Sequence, residues 1–190
     1  MIPPLLGGVL VGGQSRRMGR PKQLVEIGET TMIEHVVAAL HRGMDEVLLL
    51  GAGQVPASLE ALKRVNDADG CRGPMAGILG AMTAEPEATW VVAPCDLPLV
   101  RPEAVQWLLS RRRAGAWVVF PSLDGFVEPL LALYEPEARG LLESAAAAGL
   151  HSLHRLASHP RVATAEAPAS LRQCWFNANT PREIVALLAD

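Results

Sequence analysis

The chain has 190 residues, of which 49% are hydrophobic and 19% charged, a balance that supports a full globular core and excludes a disordered polymer. A formal net charge of −3 excludes a general basic field for nucleic acid, so each cluster of arginines is weighed locally. Three cysteines, Cys71, Cys95 and Cys174, form no C-x-x-C pair; this argues against a disulfide framework or zinc ribbon and suits a reducing cytosol.

The N-terminal run has no basic n-region and is broken by Pro and Gly, which predicts a first strand, Leu5–Val11, rather than a signal peptide. No apolar run is long enough to span a membrane. Helix 32–42 follows, opened by a capping box at Thr31 and Glu34. A strand is expected at 46–51, a short strand ending at Asp67, and a helix at 76–83. Further strands are expected at 90–94, 117–121 and 130–134, and helices at 102–113 and 136–148. Asp124-Gly125 reads as a hairpin turn, and a last helix at 181–188 carries a second capping box at Thr180 and Glu183. Strands alternating with helices predict one α/β domain over 1–190 with a mostly parallel sheet. In such a sheet ligands bind beyond the C-terminal strand ends, and four of those junctions carry chemistry.

The first junction is LVGGQSRRMGRPKQL, residues 10 to 24. It fits neither the dinucleotide nor the P-loop glycine spacing. Gly12 and Gly13 still allow backbone N–H groups to approach an anion, Ser15 adds a hydroxyl, and Arg16, Arg17, Arg20 and Lys22 can neutralise a triphosphate. The second runs from Asn66 to Gly77, with Asp67 at a strand end and Gly73-Pro74 before a helix. The third is an apolar strand running into Asp96, with Pro98 turning the chain away; one carboxylate plus substrate phosphates is a common way to hold Mg²⁺. Its plain structural alternative is a cap for the helix at Pro102. An unpaired carboxylate there would strain the empty cleft, so its neutralisation is expected to leave stability unchanged or raise it. The fourth holds Asn177 and Asn179, which share a side if the segment is extended. His35 and His41 lie six apart, and His151 and His154 lack a neighbouring carboxylate or cysteine in the chain, so neither pair reads as a metal site.

Together the four segments resemble one known set. LVGGQSRRMGRPK is similar to the nucleotidyltransferase signature L-x-G-G-x-S-x-R-M-G-x-x-K, and DADGCRGPMAGI, CDLPLV and FNANTPREI are similar to the segments that follow it in the molybdenum cofactor guanylyltransferase family. The resemblance implies a three-layer Rossmann-like nucleotidyltransferase fold and transfer of GMP from GTP to molybdenum-bearing molybdopterin, with pyrophosphate released. It implies Mg²⁺ as cofactor, with Asp96 as metal ligand. Leu10, Val11, Gly12, Gly13, Ser15, Asp67 and Gly73 would surround the nucleotide, Arg17 and Lys22 would hold phosphates, and Asn177 and Asn179 would face the acceptor. Implied partners are GTP, molybdopterin, the proteins that deliver it and the apoproteins that receive the product, with no nucleic acid and no membrane. Departures are Pro21 before Lys22, Val11 for Ala, Gly51-Ala-Gly53 where an Asn is frequent, and Glu128-Pro129 where His-Pro is frequent. The rival readings are the same chemistry with CTP or with a sugar phosphate acceptor, and a nucleotide-binding module without turnover.

Overall fold

The structure is a computed structural model that describes residues 3–12, 21–178 and 183. Ten strands are described: β1 (Leu5–Leu10), β2 (Glu26–Ile27), β3 (Thr30–Thr31), β4 (Glu46–Leu50), β5 (Arg64–Val65), β6 (Thr89–Pro94), β7 (Val118–Leu123), β8 (Phe126–Val127), β9 (Ala132–Tyr134) and β10 (Val162–Glu166). Four α-helices accompany them: α1 (Met32–His41), α2 (Pro74–Ala84), α3 (Pro102–Ser110) and α4 (Ala138–Ala147). The main sheet runs β10-β7-β9-β6-β1-β4-β5, with β8 added on β7; β2 and β3 form a separate hairpin. β9 is antiparallel to both its neighbours and β8 to β7, while the other pairs of the main sheet are parallel.

Both faces of this sheet are covered, which explains why its strands read as continuous apolar runs. On β6, Val91 and Ala93 pack with α1 and α3, while Trp90 and Val92 pack with α2 and α4. The alternation that hides both sets comes from the two-residue period of a strand. α1 buries Met32, Ile33, Val36, Val37 and Leu40 on one stripe, and its capping box is present, with the Thr31 N–H donating to Glu34 Oε2 at 2.7 Å.

Several expected boundaries shift for identifiable reasons. α2 begins at Pro74 rather than Ala76, because Gly73 adopts φ 62° as its N-cap and Pro74 suits the first helical position. α3 ends at Ser110 rather than Arg113, where the chain departs so that Arg112 can pair with Glu135 at 2.7 Å. α4 starts at Ala138, after a turn in which the Ala138 N–H donates to the Glu135 carbonyl. The strand expected from Leu130 starts at Ala132, because Leu131 has φ 50° and leaves the extended region. β10, β8 and the β2–β3 hairpin were not expected; each is short or half exposed and carries little apolar pattern. The turn at Asp124-Gly125 is a hairpin with both residues at positive φ, as those residue types predict. The last expected helix lies outside the described residues, apart from Glu183, which is helical.

Candidate active site

β1 lies between β4 and β6, and the chain leaves these strands in opposite directions across the sheet. A crevice opens where such neighbouring connections diverge. At the C-terminal ends of β1, β4 and β6 the structure has a cleft of ≈ 490 Å³. Leu10, Val11 and Gly12 wall it from β1, Asp67 and Gly73 from the approach to α2, Asp96 from the end of β6, and Lys22 from the loop after β1. Seven residues singled out in three separate segments of sequence thus meet in one place. Gly13, Ser15, Arg16, Arg17, Arg20 and Asn179 lie outside the described residues.

Lys22 is set by its own short turn. Pro21 enters with φ −56°, and residues Lys22–Leu24 form one 3₁₀ turn closed by the Leu24 N–H on the Pro21 carbonyl at 3.0 Å. Gln23 is buried and its side-chain amide donates to the Gln54 carbonyl at 3.0 Å, tying the turn to the loop after β4. Sequence reasoning missed Gln23, since a lone glutamine between a lysine and two apolar residues gives no pattern. Lys22 Nζ then lies 3.2 Å from Asp96 Oδ2, with both side chains largely shielded from solvent. The expectation that Asp96 is unpaired is therefore corrected: the fold brings it an ammonium partner.

Asp96 is not a helix cap. The N-cap of α3 is Arg101, five residues later in the chain, with no side-chain cap bond. Asp96 is instead fixed through its backbone, its carbonyl accepting the Ala178 N–H at 3.1 Å. That bond sets the closing segment beside the site. Asn177 is exposed and borders the Asp96 turn, and it is not among the described residues that wall the cleft. Cys95 does wall the cleft, but burial, reinforced by the charge of Asp96, pushes its thiol up to about 12, so it is no nucleophile.

Asp67 rather than Asp69 reaches the cleft, and the reason is local packing. The Ala68 N–H donates to the Ala76 carbonyl at 2.9 Å, which pins the loop on the first turn of α2. A Cβ on Gly80 would stand 2.2 Å from the Asn66 carbonyl, and one on Gly77 would stand 2.5 Å from Leu10 Cδ2 and 3.4 Å from Asp67 Oδ1. The glycines of α2 thus admit the loop and Leu10, a packing role.

Val11 also needs correction. Its N–H donates to the Leu50 carbonyl at 2.8 Å and its carbonyl accepts the Gly53 N–H at 3.1 Å. The expected offer of this peptide to a base is reduced to the second lone pair of the carbonyl. Gly51 and Gly53 stand where the sequence lacks an Asn, and a Cβ on either would come within about 3 Å of the Val11 backbone (2.6 and 2.9 Å).

The donor set fits Mg²⁺. Among the described residues no three His, Cys, Asp or Glu side chains gather into a metal cage. Asp96 supplies one hard carboxylate in a cleft, the arrangement in which phosphates complete the coordination of the ion. His35 and His41 are exposed on α1. No helix among the described residues is long and apolar enough to cross a membrane.

A three-layer α/β sheet with a cleft that sets a lysine and two aspartates at its C-terminal edge defines a nucleotide-handling protein. The family model for the MobA-like NTP transferase domain matches residues 7–165, and the chain belongs to that family of nucleotidyltransferases. It is 31% identical to the molybdenum cofactor guanylyltransferase of Pseudomonas putida, over 96% of this chain and 97% of that protein. It is 30% identical to a probable molybdenum cofactor guanylyltransferase of Pelotomaculum thermopropionicum, over 94% and 89% of the two chains. The crystal structure of molybdopterin-guanine dinucleotide biosynthesis protein A from Archaeoglobus fulgidus superposes with a TM-score of 0.78 at 27% identity, covering 96% of each chain. The expected fold class, a mostly parallel three-layer nucleotidyltransferase, is the one observed.

Proposed function

We propose that the chain transfers GMP from GTP to molybdopterin carrying molybdenum, forming the guanine dinucleotide cofactor and releasing pyrophosphate. The observation that carries this reading is the Lys22–Asp96 pair at the end of β6, facing Asp67 and Gly73 across the cleft. The family supports it, as do relatives named for this activity over nearly their whole length.

The reaction needs two anions brought together more than it needs covalent help. An oxygen of the acceptor's terminal phosphate forms a bond to the α-phosphorus of GTP. The bond from that phosphorus to the oxygen bridging toward the β-phosphate breaks, and pyrophosphate leaves with the electron pair. Lys22 neutralises charge on the phosphates as it is redistributed. Gln23 holds the lysine turn against the loop after β4, so the ammonium reaches its position at little reorganisation cost. Asp96, together with phosphate oxygens, would hold Mg²⁺, which supplies charge neutralisation and Lewis acidity when bound. Asp67 and the Gly73 turn at the start of α2 flank the nucleotide, and Arg17 and Ser15 belong to the same phosphate loop in this reading. Asn177 and Asn179 face the acceptor.

The test is acceptor-dependent release of pyrophosphate from GTP with Mg²⁺ and molybdopterin, with each component omitted in turn. Release that needs all three supports the reading, and release that persists without molybdopterin contradicts it.

A further inference from the structure

The walls of the cleft divide by chemistry. Lys22 and Asp96 meet at the end of β6, where phosphates and a cation belong in the reading above. The β4 end differs. Leu10, Val11 and Leu50 wall it with apolar surface, and Val11 is tied there by its N–H on the Leu50 carbonyl. The one side-chain amide among the described residues that wall the cleft, Gln23, belongs to this end. A Cβ on Gly53 would stand 3.1 Å from Gln23 Nε2 and 3.0 Å from the Val11 carbonyl oxygen, so amide and carbonyl are neighbours across that glycine.

The amide is buried and held at one end. Gln23 is 5% exposed, and its Nε2 donates to the Gln54 carbonyl at 3.0 Å. A backbone carbonyl only accepts, so the nitrogen must face it and the oxygen is directed elsewhere. No described residue donates to Gln23 Oε1. The described side-chain polar atoms sealed in the protein without a partner are Trp90 Nε1 and His151 Nδ1. Gln23 Oε1 is not sealed with them, and the surface that Gln23 meets is the cleft. A largely buried acceptor without a donor is costly, and the donor that would satisfy it is an N–H or O–H of a bound molecule. A phosphate, which only accepts, is excluded at this atom.

We propose that Gln23 reads the base of the nucleotide, its Oε1 accepting a hydrogen from the 2-amino group of guanine. The apolar surface of Leu10, Val11 and Leu50 suits a flat ring, and a planar amide fixed at its nitrogen end favours a donor of fixed direction over a ribose hydroxyl that can turn. This assignment rests on the guanylyl-transfer reading above and adds to it a side chain that selects the base. Gln23 also holds the turn that carries Lys22, and the two roles separate by experiment. Loss of the turn weakens every nucleotide alike, whereas loss of base recognition changes the ratio between nucleotides.

The experiment measures binding of GTP, CTP and inosine triphosphate, which is GTP without its 2-amino group, by calorimetry with Mg²⁺ present. It compares wild type with Gln23→Met and Gln23→Leu, which keep an apolar filling of similar size and remove the amide. Wild type is expected to bind GTP about tenfold more tightly than inosine triphosphate, and both variants are expected to bind the two equally. A preference retained in a folded variant overturns the role of Gln23 and leaves guanylyl transfer standing. Equal affinity of wild type for GTP and inosine triphosphate overturns it without recourse to any variant. Affinity of wild type for CTP equal to that for GTP overturns the guanine reading together with the role of Gln23.

Discussion

Lys22 and Asp96 are 74 residues apart in the chain and 3.2 Å apart in the fold. Each was legible alone, one as a cation in a glycine loop and the other as a carboxylate where an apolar strand meets Pro98. Their pairing was not, because side-chain contacts between distant segments leave no local pattern. Lys22→Ala is expected to lower kcat by about 10²–10³, the scale of losing one preorganised charge-stabilising donor. Circular dichroism should remain native, since the side chain fills no core. In Asp96→Asn the Mg²⁺-dependent turnover should collapse, as read by activity across a Mg²⁺ titration. The pair also reverses the stability forecast for this variant: removing the charge of Asp96 removes its attraction to the Lys22 ammonium, so the ligand-free protein should lose about 0.2–1 kcal/mol rather than gain. A rise in melting temperature on Asp96→Asn would contradict that. Glu128 has the opposite sign. Its folded carboxyl binds a proton more tightly than the unfolded one, so its contribution is favourable when protonated and is lost as pH rises through the folded value. Glu128→Gln should therefore melt like wild type in acid and above it at neutral pH, as read by calorimetry across that range.

Among the elements, α2 shows most clearly what sequence reading captures and what it does not. Its existence followed from an apolar segment after Gly73-Pro74, and its role at the cleft from the turn that begins it. The packing role of Gly77 and Gly80 was not legible, since a glycine that admits a ligand and one that admits a neighbouring loop look the same in the chain. The distance of 2.2 Å from a Cβ on Gly80 to the Asn66 carbonyl separates the two cases, because backbone cannot move aside as a flexible side chain can. Gly80→Ala should thus destabilise by about 1–3 kcal/mol despite the better helix propensity of alanine. It should also weaken nucleotide binding, because the displaced loop carries Asp67. Gly140→Ala on α4 is the control: a Cβ there meets nothing within 4 Å, so stability should rise by about 0.4–1 kcal/mol in chemical denaturation. Equal effects of the two substitutions would remove the packing argument.

At the scale of the whole molecule, the parallel α/β class was legible because both faces of the sheet are buried, which turns strands such as Trp90–Pro94 into unbroken apolar runs. The spatial order β10-β7-β9-β6-β1-β4-β5 was not legible, since the reversal of β9 depends on tertiary pairing with β6 and β7. The order matters for the site, because it brings the C-terminal ends of β1, β4 and β6 together around the cleft that holds Asp96. Guanine presents N1–H and 2-amino donors beside the O6 acceptor, and groups matched to that edge lose partners when cytosine takes its place, at about 1–3 kcal/mol for each buried group left unpaired. The most direct measurement is pyrophosphate release with GTP and with CTP under identical conditions, with Mg²⁺ and molybdopterin present. Guanylyl transfer predicts acceptor-dependent release at least about tenfold faster in kcat/KM for GTP, the equivalent of one 1.4 kcal/mol difference in transition-state binding. Equal or faster release from CTP would contradict it.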